Sequence, residues 1–325
     1  MLLFADFDET LVRNCIDEFS AATGIRDAFS ISCLDRSATF GSERMVFTLV
    51  RSKGKPLVLK LDLAEGTKRL TKEYQVIEKL SSHFESGSQA ALVKPVYLSP
   101  TGRFHVTKLL EGKTAKEMVY SPQDLRQAGQ VYRRGGEWLN HLHQFEPVKE
   151  EKAWFNWMLE EVEGHMQAAS PQACRKMLHR FTAELERDCR NLSGMSCIAV
   201  FSHGDFHGGN LVLGRGVSYG LDFTEACTKL AVYDIVDFLK MDVFLPAEPS
   251  QVGACGIRNH SKEMFFKKYR QKVNSGFLTC ALRGRLLIEW AKISREAFER
   301  SAFMRKKFTF LERRLSIAFA QPLEG

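Results

Sequence analysis

Apolar runs separated by turns set the character of the first third of the chain. Met45-Val46-Phe47-Thr48-Leu49-Val50 and Leu57-Val58-Leu59-Lys60-Leu61 flank the turn residues Ser52-Lys53-Gly54-Lys55, which predicts a hairpin within 40–61. Tyr74, Ile77 and Leu80 then recur at spacings of three, as on one face of a helix around Glu73 to Ser81. Beyond a Ser- and Gly-rich loop at 81–89, strand-like stretches at 92–98 and 103–110 complete a mostly antiparallel lobe. Gly112, in Leu110-Glu111-Gly112-Lys113, breaks the last strand and marks a hinge.

Helical periodicity dominates the remainder. Helices are predicted over 123–144, 154–167 and 171–192, the last with Ser170 as N-cap and Pro171 in its first turn. Loop and short strands occupy 200–222, and helices resume over 230–244, 262–272, 282–300 and 304–319. The plan is α+β: an N-terminal extension (1–35), a small β-rich lobe (36–110) and a large helical lobe (111–325).

Composition narrows this little. With 325 residues, 44% hydrophobic and 26% charged, the chain has material for two real cores and is neither disordered nor fibrous. No apolar run reaches the roughly 18 to 20 residues needed to cross a bilayer, and acidic residues within Met1 to Asp8 interrupt any leader-like core. A soluble, cytoplasmic protein is expected. Eight scattered cysteines without a CxxC pair read as reduced thiols and not as metal ligands. The net charge of +7 resides at one end: Ile257 to Gly325 holds 16 Lys and Arg against 6 Asp and Glu, and the rest is nearly balanced.

Chemistry concentrates in Phe201-Ser202-His203-Gly204-Asp205-Phe206-His207-Gly208-Gly209-Asn210-Leu211-Val212-Leu213, followed by Leu221-Asp222-Phe223. Phosphoryl transfer needs a carboxylate to orient or deprotonate the attacking hydroxyl, and oxygen ligands to hold a cation against phosphates. Asp205, Asn210 and Asp222 are of the right types. One loop carries both Asp205 and Asn210, and Leu211-Val212-Leu213 with Tyr219-Gly220-Leu221 is predicted to form a hairpin that delivers Asp222.

His-Gly-Asp-x-x-x-x-Asn followed by Asp-Phe resembles the aminoglycoside phosphotransferase and choline kinase family, a branch of the protein-kinase-like superfamily. The resemblance runs over about 37–245 and implies a two-lobe fold with ATP and Mg²⁺ as cofactors. It implies Asp205 as catalytic base, Asn210 and Asp222 as metal ligands, and His203 as a brace for the loop. Lys60 would contact the α/β phosphates and Glu73 would hold Lys60 by an ion pair. Gly41 and Ser42 stand where the phosphate-covering turn falls, although Ser37 to Arg44 contains one glycine and not a Gly-rich loop. Thr107-Lys108-Leu109-Leu110 resembles the hinge whose main chain meets adenine, which puts Lys108 and Leu110 beside the nucleotide. Trp138-Leu139-Asn140-His141-Leu142-His143 and Tyr233-Asp234-Ile235-Val236-Asp237-Phe238 extend the likeness; His143 reads as a packed structural histidine, Asp234 as a brace of the catalytic loop and Asp237 as a helix-face charge.

Asp6-Phe7-Asp8-Glu9-Thr10 also matches the Asp-x-Asp-x-Thr of haloacid-dehalogenase-like phosphatases, but the strands that follow belong to the kinase-like lobe. After Asp222 the chain runs almost directly into a helix without Ala-Pro-Glu, so the acceptor is a small-molecule or glycan hydroxyl and not a protein. Trp154, Phe155 and Trp157 with Glu160, Glu161 and Glu163 read either as a wall for a cation or as a buried amphipathic helix with a solvated face. The basic C-terminal helices are compatible with an anionic substrate or a membrane surface, hence with a sugar or lipid-headgroup kinase. A silent nucleotide-binding module is the remaining alternative, and no nucleic-acid partner is expected.

Overall fold

The structure is a computed structural model that describes residues 8–36, 44–64, 66–85, 89–121, 125–166 and 175–323. In chain order the elements are α1 (Glu9–Thr23), β1 (Phe29–Arg36), β2 (Arg44–Arg51), β3 (Leu57–Asp62), α2 (Arg69–Phe84), β4 (Ala90–Leu92), β5 (Pro95–Leu98) and β6 (Phe104–Lys108). Then follow β7 (Lys113–Thr114), α3 (Ala115–Tyr120), α4 (Leu125–Leu142), β8 (Lys149–Lys152), α5 (Asn156–Met166), α6 (Arg175–Leu192), β9 (Ser196–Ser202), β10 (Leu211–Leu213), β11 (Ser218–Gly220) and β12 (Cys227–Leu230). The chain closes with α7 (Ala231–Leu239), α8 (Asn259–Phe266), α9 (Ser275–Ala291), α10 (Arg295–Arg300) and α11 (Ala302–Phe319). Two compact units result, Met1–Gly112 with Gly214–Ala226, and Lys113–Leu213 with Cys227–Gly325.

The first unit is built on an antiparallel sheet of order β1-β2-β3-β6-β5. Because side chains alternate across a strand, Leu57, Leu59 and Leu61 of β3 share a face with Met45, Phe47 and Leu49 of β2 and with Phe104 and Val106 of β6. That face packs on Val12, Cys15, Ile16 and Phe19 of α1, all buried; a fully buried Phe19 alone is worth roughly 2 to 3 kcal/mol. The same alternation sends Lys60 to the opposite face, where α2 buries Leu70, Glu73, Ile77, Leu80 and Phe84 at helical spacing.

The expected lobe of 36–110 is thus incomplete in two respects. Residues assigned to an extension supply α1 and the edge strand β1 to its core. Gly214–Ala226, expected in the helical lobe, groups here because β11 runs parallel beside β4, Ser218 opposite Ala90. The phosphatase-like letters also find a structural use: Asp8 is the N-cap of α1, its side chain accepting from the Thr10 and Leu11 amides, while Asp6 lies outside the described residues.

In the second unit α9 is buried on nearly every side, and its Arg283 is satisfied by Asp188 and by the carbonyls of Ala254, Ala318 and Gln321. Close helix contacts depend on small residues in α4: a methyl group on Gly136 would lie 2.2 Å from the Phe265 carbonyl oxygen, and one on Gly135 2.2 Å from the Phe238 ring. The predicted 282–300 helix is two helices, because Ser294 caps α10 through the Ala297 amide, and α9 itself begins earlier, at Asn274 as N-cap. α3 forms ahead of α4 through a capping box between Thr114 and Glu117. β8 pairs with β9 although its Lys-Glu-Glu-Lys sequence has no apolar period, the mark of an exposed edge strand. The start expected for α6 at Ser170 and Pro171 lies outside the described residues. Among those described, no helix is long and apolar enough to cross a membrane.

Candidate active site

The first unit brings together three of the expected residues. Lys60 Nζ lies 2.7 Å from Glu73 Oε2 and 3.0 Å from Asp222 Oδ1, one ammonium between two carboxylates. Glu73 is almost fully enclosed; burial works to raise its pKa, but Lys60 and His105 override this and hold the carboxyl far below its usual range. His105 Nε2 stands 3.3 Å from the same Glu73 oxygen, since His105 is the cross-strand partner of Lys60 and points to the same face.

Asp222 is held from several sides. Besides Lys60, the Thr224 hydroxyl donates to Oδ1 at 3.1 Å and Arg44 Nη2 stands 3.5 Å from Oδ2. Burial pushes its pKa up and Glu73 adds to that, yet Lys60 and Arg44 bring it below the ordinary aspartate value. Asp222 is also the non-glycine residue, among those described, with a positive φ, 59°. A left-handed backbone costs an ordinary L-residue about 1 to 2 kcal/mol and persists where function or packing requires it.

Of the hinge residues, Lys108 ends β6, with its amide donated to the Lys94 carbonyl and its side chain exposed. Leu109 donates to the Pro56 carbonyl, and Leu110 follows, half-buried. Gly41 and Ser42 lie outside the described residues.

The loop that carries Asp205 belongs to the second unit and is assembled around a buried carboxylate. Gly204, with φ 84°, lets the chain turn so that the amides of His203 and Gly204 both donate to Asp234, at 2.7 and 2.9 Å. His143 Nε2 contacts the same Asp234 at 3.1 Å, and its Nδ1 meets the Tyr269 hydroxyl at 2.8 Å. Burial favours the neutral acid, but bonding from His143 and from the His203 main chain keeps Asp234 below its usual pKa. His203 is itself buried, edge-on to Trp138.

Phe206 stacks between Trp138 and Phe238 at 5.1 and 4.9 Å. Its neighbours Asp205 and His207 remain at the surface, with side chains 48% and 42% exposed. The Asp205 carbonyl accepts from the His207 amide and from Asn210 Nδ2 at 2.8 Å, which closes the loop on itself and leaves the Asn210 amide oxygen, among the described residues, without a hydrogen bond.

Sequence reasoning gave no role to His207. Its Nδ1 accepts from the Gly209 amide at 3.0 Å, so the ring proton sits on Nε2, 3.6 Å from Asp205 Oδ2. Burial lowers its pKa, with Asp205 opposing. Asp237, read as a helix-face charge, is instead buried and paired with Lys240 and Arg285. The aromatic and acidic wall of α5 does not form as one surface. Phe155 is in the core against Phe277, and Trp157 donates to Tyr233 and carries Arg285 over its ring.

No curated protein matches the sequence. Among solved structures the chain is similar to amicoumacin kinase hAmiN, in complex with AMP-PNP, Ca²⁺ and Ami, with TM-score 0.62 and 18% identity over 98% of this chain and 95% of that one. It is similar to spectinomycin phosphotransferase APH(9)-Ia, in complex with ADP and spectinomycin, with TM-score 0.61 and 13% identity over 95% and 97%. Choline kinase LicA from Streptococcus pneumoniae gives TM-score 0.58 and 14% identity over 96% and 100%. These likenesses establish a shared α+β, kinase-like fold. The model of the phosphotransferase enzyme family matches residues 40–265, most of the chain, and the chain therefore belongs to that family.

Proposed function

We propose that the chain moves the γ-phosphate of ATP to a hydroxyl of a small molecule or glycan, with magnesium as its metal, in the cytoplasm. The observation that carries the reading is Lys60 clamped between Glu73 and Asp222, with Asp222 held in a left-handed backbone. The donor chemistry suits magnesium, which takes few carboxylates and otherwise oxygen from phosphate and water: Asp222 offers carboxylate oxygen, and Asn210, its nitrogen engaged by the Asp205 carbonyl, offers amide oxygen. Magnesium, when bound, neutralises and orients the phosphate oxygens.

The protein's own groups have separable tasks. Lys60, aligned by Glu73, neutralises the α/β phosphates, and the Lys108 to Leu110 main chain meets the adenine edge. Asp205 takes the proton of the acceptor hydroxyl as its oxygen bonds to the γ-phosphorus and the β,γ-bridging P–O bond breaks, giving a phosphate ester and ADP with the proton passed to solvent. His207, with its N–H toward Asp205, holds that carboxylate in one orientation.

The basic C-terminus speaks less for a membrane surface than its sequence does. Lys268 is paired with Glu137 and Lys307 with Glu289, and Arg314 is buried against the Asp242 and Leu245 carbonyls. Acceptor-dependent ADP release, screened over aminoglycosides, choline, amino alcohols, sugars, nucleosides and hydroxy acids, tests the reading. At least one acceptor is expected to raise ADP release tenfold or more, and chelation of magnesium to abolish the gain. ADP release indifferent to every acceptor and to chelation would overturn it.

A further inference from the structure

Next to the catalytic loop, within the second unit, lies a cavity of about 290 Å³. His207 and Gly208 form one side of it, and Tyr120, Phe244 and Phe303 form an aromatic run. Tyr120 meets Phe244 edge-on at 5.2 Å, and Phe244 stacks on Phe303 at 6.1 Å. Phe303 is 58% exposed and stands at the cavity lining. Met241, Leu286 and Leu311 complete an apolar interior.

The polar lining has an uneven charge balance. It contains two carboxylates, Asp237 and Glu289, and both are already engaged. Lys240 Nζ is 2.9 Å from Asp237 Oδ1 and 3.9 Å from Glu289 Oε1, Arg285 Nη2 is 2.9 Å from Asp237, and Lys307 Nζ is 2.6 Å from Glu289. Burial works to raise the Glu289 pKa, but Lys307, Lys240 and Arg285 hold it below the usual glutamate value. Within the lining, Lys240 and Lys307 thus match the two anions, and Arg285 pairs with Asp237 from outside it. Lys116, at the start of α3, adds a further charge to the lining and has no ion pair among the described residues.

An ammonium group entering here would have to displace Lys240, Arg285 or Lys307 from its carboxylate, and would do so in a net positive field. A carboxylate or phosphate arm meets no such competition and has Lys116 to pair with. Unit charges several ångströms apart near a protein surface interact strongly enough to shift affinity about tenfold.

Resting on the phosphotransfer reading, we infer that this cavity is the acceptor site and that its acceptor is a hydroxyl compound with an apolar, ring-sized body and an anionic arm, not an aminoglycoside or a quaternary-ammonium alcohol. The rings of Tyr120, Phe244 and Phe303 take the body, Lys116 takes the arm, and His207 lines the side nearest Asp205.

A matched series tests this: mandelate, 1-phenyl-1,2-ethanediol and 2-amino-1-phenylethanol share a ring and a benzylic hydroxyl and differ in the charge of one arm. Dissociation constants are measured by ligand-observed NMR on the full chain. Mandelate is expected to bind at least fivefold tighter than the amino alcohol, with the diol between them. Lys116→Met is expected to bring mandelate within about twofold of the diol and leave the diol unchanged, and Phe303→Ala to weaken all three about fivefold. Equal or tighter binding of the amino alcohol, or no saturable binding of any of the three, would overturn the inference. The assay needs no turnover, so the two readings fail separately. Efficient ADP release with kanamycin or choline would sink this inference and keep the transfer, whereas the expected binding order in a chain that never releases ADP would sink the transfer and keep only a binding site for anionic ring compounds.

Discussion

Asp205→Ala is expected to lower turnover by about a thousandfold, within the range a positioned general base contributes, and to leave ATP affinity and the thermal midpoint unchanged. The separation follows from how the loop is built. What holds Asn210 and His207 in place is the main-chain carbonyl of Asp205, which alanine retains. The carboxylate itself is half exposed and faces His207 at 3.6 Å, so its loss creates neither a cavity nor a buried unpaired charge. Steady-state kcat, with ATP binding measured calorimetrically on the same sample, checks the separation. A variant with raised KM and unchanged kcat would mean that Asp205 only binds the acceptor.

Lys60→Met is expected to fail twice, once in catalysis and once in stability. Removing the ammonium leaves Glu73, nearly fully enclosed, without its principal counter-charge and deprives Asp222 of a partner at 3.0 Å. Breaking one member of a buried pair costs about 3 kcal/mol. The deficit has a predictable pH dependence. In the parent, the depressed Glu73 pKa contributes stability that is fully present above the unfolded value of 4.5 and is lost as pH falls through the native one. In the variant, Glu73 is best buried as the neutral acid, so the deficit is widest near pH 7 and narrows toward pH 4. Urea unfolding at the two pH values checks it; a gap that stays constant or grows on acidification would contradict the electrostatic account. In the same variant the KM for ATP should rise, because the α/β phosphates lose their cation.

Much of this site was readable in the sequence because its members stand at fixed short spacings. Asp205 and Asn210 share one loop, and Lys60 sits in a strand whose alternation forces it away from the leucines that face α1. Residues whose roles depend on register were harder to see. His105 reaches Glu73 only because β6 pairs with β3 so that it lies opposite Lys60, and no run of letters states that register, although two recognised neighbouring strands restrict it. His207 was visible two positions after Asp205, but its tautomer is set by a hydrogen bond from Gly209. Arg44 was visible at the start of β2 and its approach to Asp222 was not, because the two are far apart along the chain. Helical spacing does not reveal that Lys240 and Arg285 come to meet Asp237.

In the fold, α1 and β1 carry the sequence marks of regular elements. Phe29, Ile31 and Cys33 alternate with Ser30, Ser32 and Leu34 as a half-buried strand should, and Asp8 marks the start of a helix whose Val12, Cys15, Ile16 and Phe19 share a face. β8 had no such pattern to read. Buried on almost all sides, α9 lacks a polar face, and its beginning was therefore placed too late.

The account depends most on a nucleotide bound through magnesium by Lys60 and Asp222. Calorimetric titration of ATP into the parent and into Asp222→Asn, each with and without magnesium, tests this directly, since asparagine tolerates the left-handed backbone at position 222 as well as aspartate does. The account predicts saturable, magnesium-dependent ATP binding by the parent and at least a tenfold loss in the variant. ATP binding that ignores both the metal and the substitution, or no binding by the parent, would contradict it.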